Sequence, residues 1–302
     1  MIPILKPFEQ NDPKTLPETF LWHGDVEGFL DTLPIAPIFD LAITSPPYNI
    51  GKKYEKRQTL DNYLHAHQRI ISKIFQRMKP TGSMCWQLGN FIDKKHGGKS
   101  TTILPLDLVF HNFFQQAGAQ LRNRIIWRFG HGLSCKHRFS GRYEVVMWYT
   151  LTDNYTFDLD AVRVPQKYPG KRHFKGPNVG RLSGNPKGKN PEDVWDIPNV
   201  KSNHVEKTEH PCQFPVALVD RFVLATTKPG QVVFDPFAGV ASTGVAALLH
   251  KRRFWGCEID DKYLNIAKKR LTDAQNGHFE YRPFEKPIHD HTTSNLATRP
   301  AE

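Results

Sequence analysis

The chain has 302 residues, 39% of them hydrophobic and 24% charged, which excludes a disordered protein and allows one large domain, with or without an insertion. Its formal net charge of +11, from 41 Lys and Arg against 30 Asp and Glu, points to a polyanionic partner, nucleic acid before membrane, because no basic amphipathic helix accompanies it. No apolar run reaches the roughly 18 residues that span a bilayer, and the four cysteines (Cys85, Cys135, Cys212, Cys257) lack metal-ligand spacing, so neither zinc nor a disulfide framework is indicated.

Residues 1–18 are polar and proline-bearing and read as an extended arm without the apolar core of a secretion signal, so a reducing, intracellular setting is expected. Residues 19–22 read as a strand. Residues 26–33 follow as a short helix with Val26, Phe29, Leu30 and Leu33 on one face. Asp25, just past the strand, either caps that helix or accepts a hydrogen bond from a ligand amine; the sequence alone favours the cap. Residues 39–43 form a short buried strand, and apolar periodicity then predicts a helix over 60–78, stopped by Lys79-Pro80-Thr81-Gly82. Further strands are expected at 83–88, 121–129 and 144–150, with a helix over 103–117. After an irregular stretch, helix 214–226, strand 231–235, helix 243–250, strand 253–258 and helix 261–271 follow. From Asn276 the tail is polar and is expected to be poorly ordered. The repeated strand–turn–helix rhythm predicts an α/β fold with a mostly parallel sheet.

The chain is organised around the corner after the strand at 39–43. Pro46 and Pro47 stop the strand, and Ser45, preceding a proline, is pushed toward an extended conformation. The corner therefore presents the Ser45 hydroxyl, the Pro46 carbonyl and the Tyr48 ring at a strand's carboxyl end, where open α/β sheets place ligands. Two acceptors beside a stacking ring suit a planar heterocycle with an exocyclic amino group. A Lys-rich loop with Lys52 and Lys53 follows, placed to close over a phosphate backbone.

Periodicity vanishes from Asp158 to about Lys207. Between Ala161 and Asn190 there is no Asp or Glu, while Arg163, Lys167, Lys171, Arg172, Lys175, Arg181, Lys187 and Lys189 fall there, interleaved with Tyr168, His173 and Phe174. A long irregular segment of single-sign charge with aromatics reads as a nucleic-acid-contacting insertion; a basic loop without a specific partner is the blander alternative.

The second motif is Asp235-Pro236-Phe237-Ala238-Gly239 between a strand and a helix, with Glu258 at the end of the next strand. Small residues let backbone N–H groups approach a ligand, the helix N-terminus favours a carboxylate or phosphate, and an acid at Glu258 suits ribose hydroxyls. The GxGxxG spacing of dinucleotide sites is absent, and Asp235 suits a ligand carrying an ammonium and a sulfonium.

Taken together, the two motifs resemble those of the permuted (β-class) DNA amino-methyltransferases, S-adenosylmethionine-dependent enzymes with a Rossmann-like fold, over residues 21–271. The resemblance implies a mostly parallel sheet with helices on both faces and an irregular basic insertion. Domain limits follow as 1–18 (arm), 19–157 (catalytic half), 158–207 (target recognition), 208–273 (cofactor half) and 274–302 (tail). Ser45-Pro46-Pro47-Tyr48 resembles the catalytic motif. Asp235, Pro236, Phe237, Ala238, Gly239, Ala241, Ser242 and Thr243 fall on the cofactor turn, Glu258 on the ribose acid, and Asp25 on the acid that meets adenine. His210 and Pro211 fall on the segment that closes over the methionine end, and Val194-Trp195-Asp196-Ile197-Pro198 resembles the junction after the recognition region. Lys52, Lys53, Arg163, Lys171, Arg172, Lys175, Arg181, Lys187 and Lys189 would contact double-stranded DNA. The turn departs from the family pattern at Ala241, which stands where a second glycine is usual. If that position needs positive φ, alanine costs about 1 kcal/mol; if it needs only closeness, one methyl is tolerated.

The resemblance implies methyl transfer from S-adenosylmethionine to an exocyclic amine by base flipping, in the prokaryotic cytoplasm beside the nucleoid. It associates Ser-Pro-Pro-Tyr with N4 of cytosine and Asp-Pro-Pro-Tyr with N6 of adenine. A non-catalytic DNA-binding protein on a degenerate methyltransferase fold and an RNA amino-methyltransferase are the rival readings. A companion restriction endonuclease and a homodimer are both left open.

Overall fold

The computed structural model describes residues 18–49, 51, 57–94, 101–130, 132, 134–201, 203–288 and 297. Among them, strands and helices follow in the order β1 (Thr19–His23), α1 (Val26–Thr32), β2 (Phe39–Thr44), α2 (Leu60–Phe75), β3 (Met78–Leu88), β4 (Asn90–Lys94), β5 (Thr101–Pro105), α3 (Leu106–Gln116), β6 (Gln120–Arg128), β7 (Tyr143–Thr150), β8 (Val194–Asp196), α4 (Val216–Thr226), β9 (Val232–Asp235), α5 (Ser242–Leu249), β10 (Arg253–Glu258) and α6 (Asp261–Gln275).

The main sheet has eight strands in the order β1-β10-β9-β2-β3-β7-β6-β8. All pairs from β1 to β3 are parallel, β7 runs antiparallel to both β3 and β6, and β8 is parallel to β6. The expected α/β architecture with a mostly parallel sheet is therefore present. Helices cover both faces, as the period-two alternation of strand residues requires. Phe20, Phe39, Phe234, Trp255, Met84 and Trp86 pack with α1, α2 and α3 on one face. Their neighbours Leu21, Leu41, Val233, Phe254 and Cys85 pack with α4, α5 and α6 on the other. Among the described residues no helix is long and apolar enough to cross a membrane.

Four expectations are corrected. The helix predicted over 60–78 ends at Phe75, and the supposed stop signal lies inside β3. Met78 pairs with Phe39 and Ser83 with Leu41, so Lys79-Pro80-Thr81-Gly82 is a bulge opposite Asp40, whose carboxylate receives the Lys79 ammonium at 2.8 Å and the Val232 amide at 2.9 Å. The helix predicted over 103–117 starts only at Leu106, because Pro105 forces Leu104 out of the helical region; Ile103 instead pairs with Ile92 in the β4–β5 hairpin. Residues 158–207 are not wholly outside the sheet. β8 lies within them on the edge of β6, where the buried Trp127 indole donates to the Ile197 carbonyl at 2.8 Å. The tail expected to be poorly ordered packs on the fold over its first part: Phe279, Tyr281 and Phe284 lie on the α4–α6 core, and the Arg221 guanidinium lies 4.9 Å from the Trp195 ring and 4.6 Å from that of Phe284.

Candidate active site

Four parallel strands end at one edge of the sheet, and their ends line a single cavity of about 890 Å³. Gly24 and Asp25 follow β1, Ser45, Pro46, Pro47 and Tyr48 follow β2, Pro236, Phe237, Ala238 and Gly239 follow β9, and Glu258 closes β10. His210 and Pro211 line the cavity from the segment before α4. The two motifs read from the sequence thus face one space.

The proline corner is held from outside. Tyr63 on α2 donates its hydroxyl to the Pro47 carbonyl at 2.9 Å. Asn49 takes a left-handed conformation (φ 57), and its side chain brackets Gln58, donating to the Gln58 carbonyl at 2.9 Å and accepting from its amide at 2.7 Å. Among the described residues neither the Ser45 hydroxyl nor the Pro46 carbonyl meets a hydrogen-bond partner, so both remain available to a ligand.

The turn after β9 is pinned more tightly. The fully buried Asp235 carboxylate accepts from the Phe237 amide at 3.1 Å and the Thr243 hydroxyl at 2.6 Å. Burial pushes this carboxyl up to about 6, against the Thr243 hydroxyl. Ser242 donates to the Phe214 carbonyl at 2.9 Å, and Ala238 donates its amide to the Cys257 carbonyl at 2.8 Å. Asp235, Ala241 and Thr243 therefore sit behind the turn and shape it; they do not line the cavity, unlike Ser242. Ala241 has φ 58 and ψ 44, so alanine does occupy a left-handed position, with its strain of about 1 kcal/mol, and its methyl is buried in the α4–α6 core.

Asp25 performs the cap, accepting from the Gly28 amide at 2.8 Å, and also lines the cavity. Glu258 accepts from the Asp260 amide at 2.8 Å, and burial holds its carboxyl above the usual range. His210 packs edge-on against Tyr263 (centroids 4.5 Å apart) and accepts from the Cys212 amide at 3.2 Å. Burial, with the Lys207 and Arg270 charges, pushes it down to about 4, so the ring is neutral at physiological pH.

A family model described as DNA methylase, for the N6 and N4 methyltransferases, matches residues 39–269. The chain belongs to the N6/N4 DNA methylase family. It is 39% identical over 299 residues to the Type II methyltransferase M.BglII of Bacillus subtilis, covering 96% of this chain and 81% of that one. It is 30% identical over 283 residues to the DNA adenine methyltransferase YhdJ of Escherichia coli strain K12, covering 92% and 90% respectively. The fold is similar to that of the solved cytosine-N4-specific PvuII DNA methyltransferase, with a TM-score of 0.64 at 21% identity, covering 85% of this chain and 91% of that one.

Three cavity-lining residues of this DNA methylase, Glu144, Gln87 and His67, carry no signal in the sequence. Glu144, at the start of β7, accepts from the Tyr48 hydroxyl at 3.5 Å and from the Gln87 side-chain amide. Burial pushes its carboxyl up to about 7. Gly89 leaves the room: a Cβ there would lie 3.0 Å from the Tyr48 ring and 3.3 Å from the Glu144 carboxylate. His67, on the inner face of α2, stacks on Phe237 of the turn after β9 (centroids 5.6 Å apart) and lies tilted against Tyr63, and burial pushes it down to about 4.

The basic residues of the methylase divide into two groups. Arg163 and Lys187 both pair with Asp160, and Lys189 pairs with Glu192 at 2.7 Å, so these cations staple the segment to itself. Arg172 donates to the Gly180 carbonyl at 2.6 Å. Lys171, Lys175 and Arg181 are exposed and have no acidic partner among the described residues. Lys52 and Lys53 lie outside the described residues.

Proposed function

We propose that this DNA methylase transfers the methyl group of S-adenosylmethionine to N4 of a cytosine extruded from duplex DNA. The observation that carries the reading is the shared cavity, with the proline corner on one side and the cofactor turn on the other. The residues present fit the cofactor: the α5 N-terminus suits its carboxylate, Glu258 its ribose diol, and Asp25 an exocyclic adenine amine. Bound there, S-adenosylmethionine supplies an electrophilic methyl on a sulfonium.

An amine inside a duplex is out of reach, so the target base must enter the cavity. Tyr48 stacks on it. Ser45 Oγ and the Pro46 carbonyl accept its N–H bonds and turn the nitrogen lone pair toward the cofactor side. On accepting the methyl the nitrogen would gain positive charge, which the two acceptors would stabilise, and its surplus proton would leave along one of those hydrogen bonds to solvent. No cysteine adduct is needed, and burial holds the thiols of Cys85 and Cys257 well above their ordinary range, against thiolate formation.

Ser45 in place of aspartate supports cytosine N4. A second reading, adenine N6, is supported by the 30% identity to a protein named as a DNA adenine methyltransferase. The Type II naming of M.BglII supports a companion endonuclease for the same site. Nucleoside mass analysis of DNA methylated by the purified protein distinguishes the readings: N4-methylcytosine is expected, and N6-methyladenine alone would replace the first with the second.

A further inference from the structure

The loop between β6 and β7 belongs to neither motif, yet it springs from the rim of the cavity. Its base is closed by the Phe129 amide donating to the Arg142 carbonyl at 3.1 Å, next to the Arg128–Tyr143 pair. The flanking Phe129 and Glu144 both line the cavity. Cys135 donates its amide to Ser140 Oγ at 3.0 Å, which folds residues 135–140 into a tight turn. That turn carries Phe139 with its side chain 100% exposed. Beside it in the chain are Lys136, His137, Arg138 and Arg142, and residues 134–142 contain no acid.

A fully exposed phenylalanine flanked in the chain by basic residues has two complementary surfaces in duplex DNA, the base stack and the phosphates. Architectural proteins insert such apolar wedges between base steps, and extruding a base leaves a gap of that shape. The reach is sufficient: the five residues from Glu144 to Phe139 extend at most about 18 Å, more than the groove depth of about 8 Å. Phe174 is also exposed, at 78%, but it lies on the segment closed by the Val164–Lys189 bridge, and the cavity lining includes no residue from that segment.

We infer that residues 134–142 are the wedge that enters the base stack when the target nucleotide leaves it, with Phe139 occupying the vacated space and Lys136 and Arg138 on the flanking phosphates. This rests on the proposed methylation of an extruded base. It assigns the loop to duplex DNA and predicts that the wedge matters only where a base must be pulled from a stable pair.

The test compares Phe139→Ala and Phe174→Ala with the wild type on two duplexes containing the methylated site, one fully matched and one with a mismatch at the target base. Phe139→Ala should lower kcat/KM at least tenfold on the matched duplex and less than threefold on the mismatched one, with an unchanged melting temperature. Any Phe174→Ala defect should be the same on both. Matched-duplex turnover of Phe139→Ala equal to wild type, or an equal defect on both duplexes, would overturn the wedge alone. Absence of wild-type turnover on either duplex would remove the methylation reading as well.

Discussion

Gly244 lies in the third position of α5, where the helix presses on the sheet and on α6. A Cβ there would sit 2.5 Å from Leu271 Cδ2 and 2.6 Å from both Cδ1 and Cε1 of Phe254, and both side chains are fully buried. On an exposed helix, Gly→Ala stabilises by about 1 kcal/mol. Here the new methyl falls almost an ångström inside the 3.4 Å limit of ordinary contact on two rigidly packed neighbours. Overpacking of this kind costs about 1–3 kcal/mol, and two simultaneous clashes place it at the upper end. The net for Gly244→Ala is a loss of about 2 kcal/mol, a fall in Tm of roughly 3 °C for a chain of this size. Because α5 can yield only by moving its first turn, which Thr243 ties to Asp235 and Ser242 to the Phe214 carbonyl, affinity for S-adenosylmethionine should fall too. Thermal unfolding and calorimetric titration read both effects. A variant that melts higher and binds the cofactor as before would mean that helix propensity wins and that α5 is not pressed where the structure has it.

Glu144→Gln should change the pH dependence of stability. The folded protein holds the Glu144 proton more tightly than the unfolded chain, so ionisation opposes the fold, with a cost that grows as pH rises from 4.5 and is complete above about 7. The variant should match the wild type in urea unfolding near the lower pH and exceed it above the upper one by about 1–3 kcal/mol; a difference independent of pH would refute the assignment. Tyr48→Ala should lower turnover roughly ten- to hundredfold through lost base stacking, with cofactor affinity kept within about twofold; equal loss of both would contradict its place at the base. Replacing Lys171, Lys175 and Arg181 together should flatten the salt dependence of DNA binding by about 2.7 in the log–log slope if each meets a phosphate. An unchanged slope would take these side chains off the backbone.

Much of the fold was legible because it is written locally. Short apolar runs such as Phe39 to Ile43 and Val232 to Phe234, each ended by a turn signal, give strands whose alternate residues feed both cores. The cavity's two main walls were legible because each is a continuous motif at a strand end. What was not legible depends on pairing across the chain. Gln87 and Glu144 meet only because β3 and β7 run antiparallel with Leu88 opposite Val145, and no spacing in the sequence announces that register. Arg163, Lys187 and Lys189 looked like free cations, since the acids that bind them, Asp160 and Glu192, lie just outside the acid-free stretch. Ile103 continued a helical period that Pro105 forbids, and the tail's three aromatics were outvoted by the charges around them.

The central claim is spatial, and one structure tests it: a ternary complex of the full chain with a non-reactive S-adenosylmethionine analogue and a duplex containing the methylated site. The account predicts an extruded cytosine stacked on Tyr48, its amine bonded to Ser45 and Pro46 and lying about 3–3.5 Å from the position of the transferable methyl. A target base still paired in the helix, or held where the cofactor turn cannot reach it, would contradict the account.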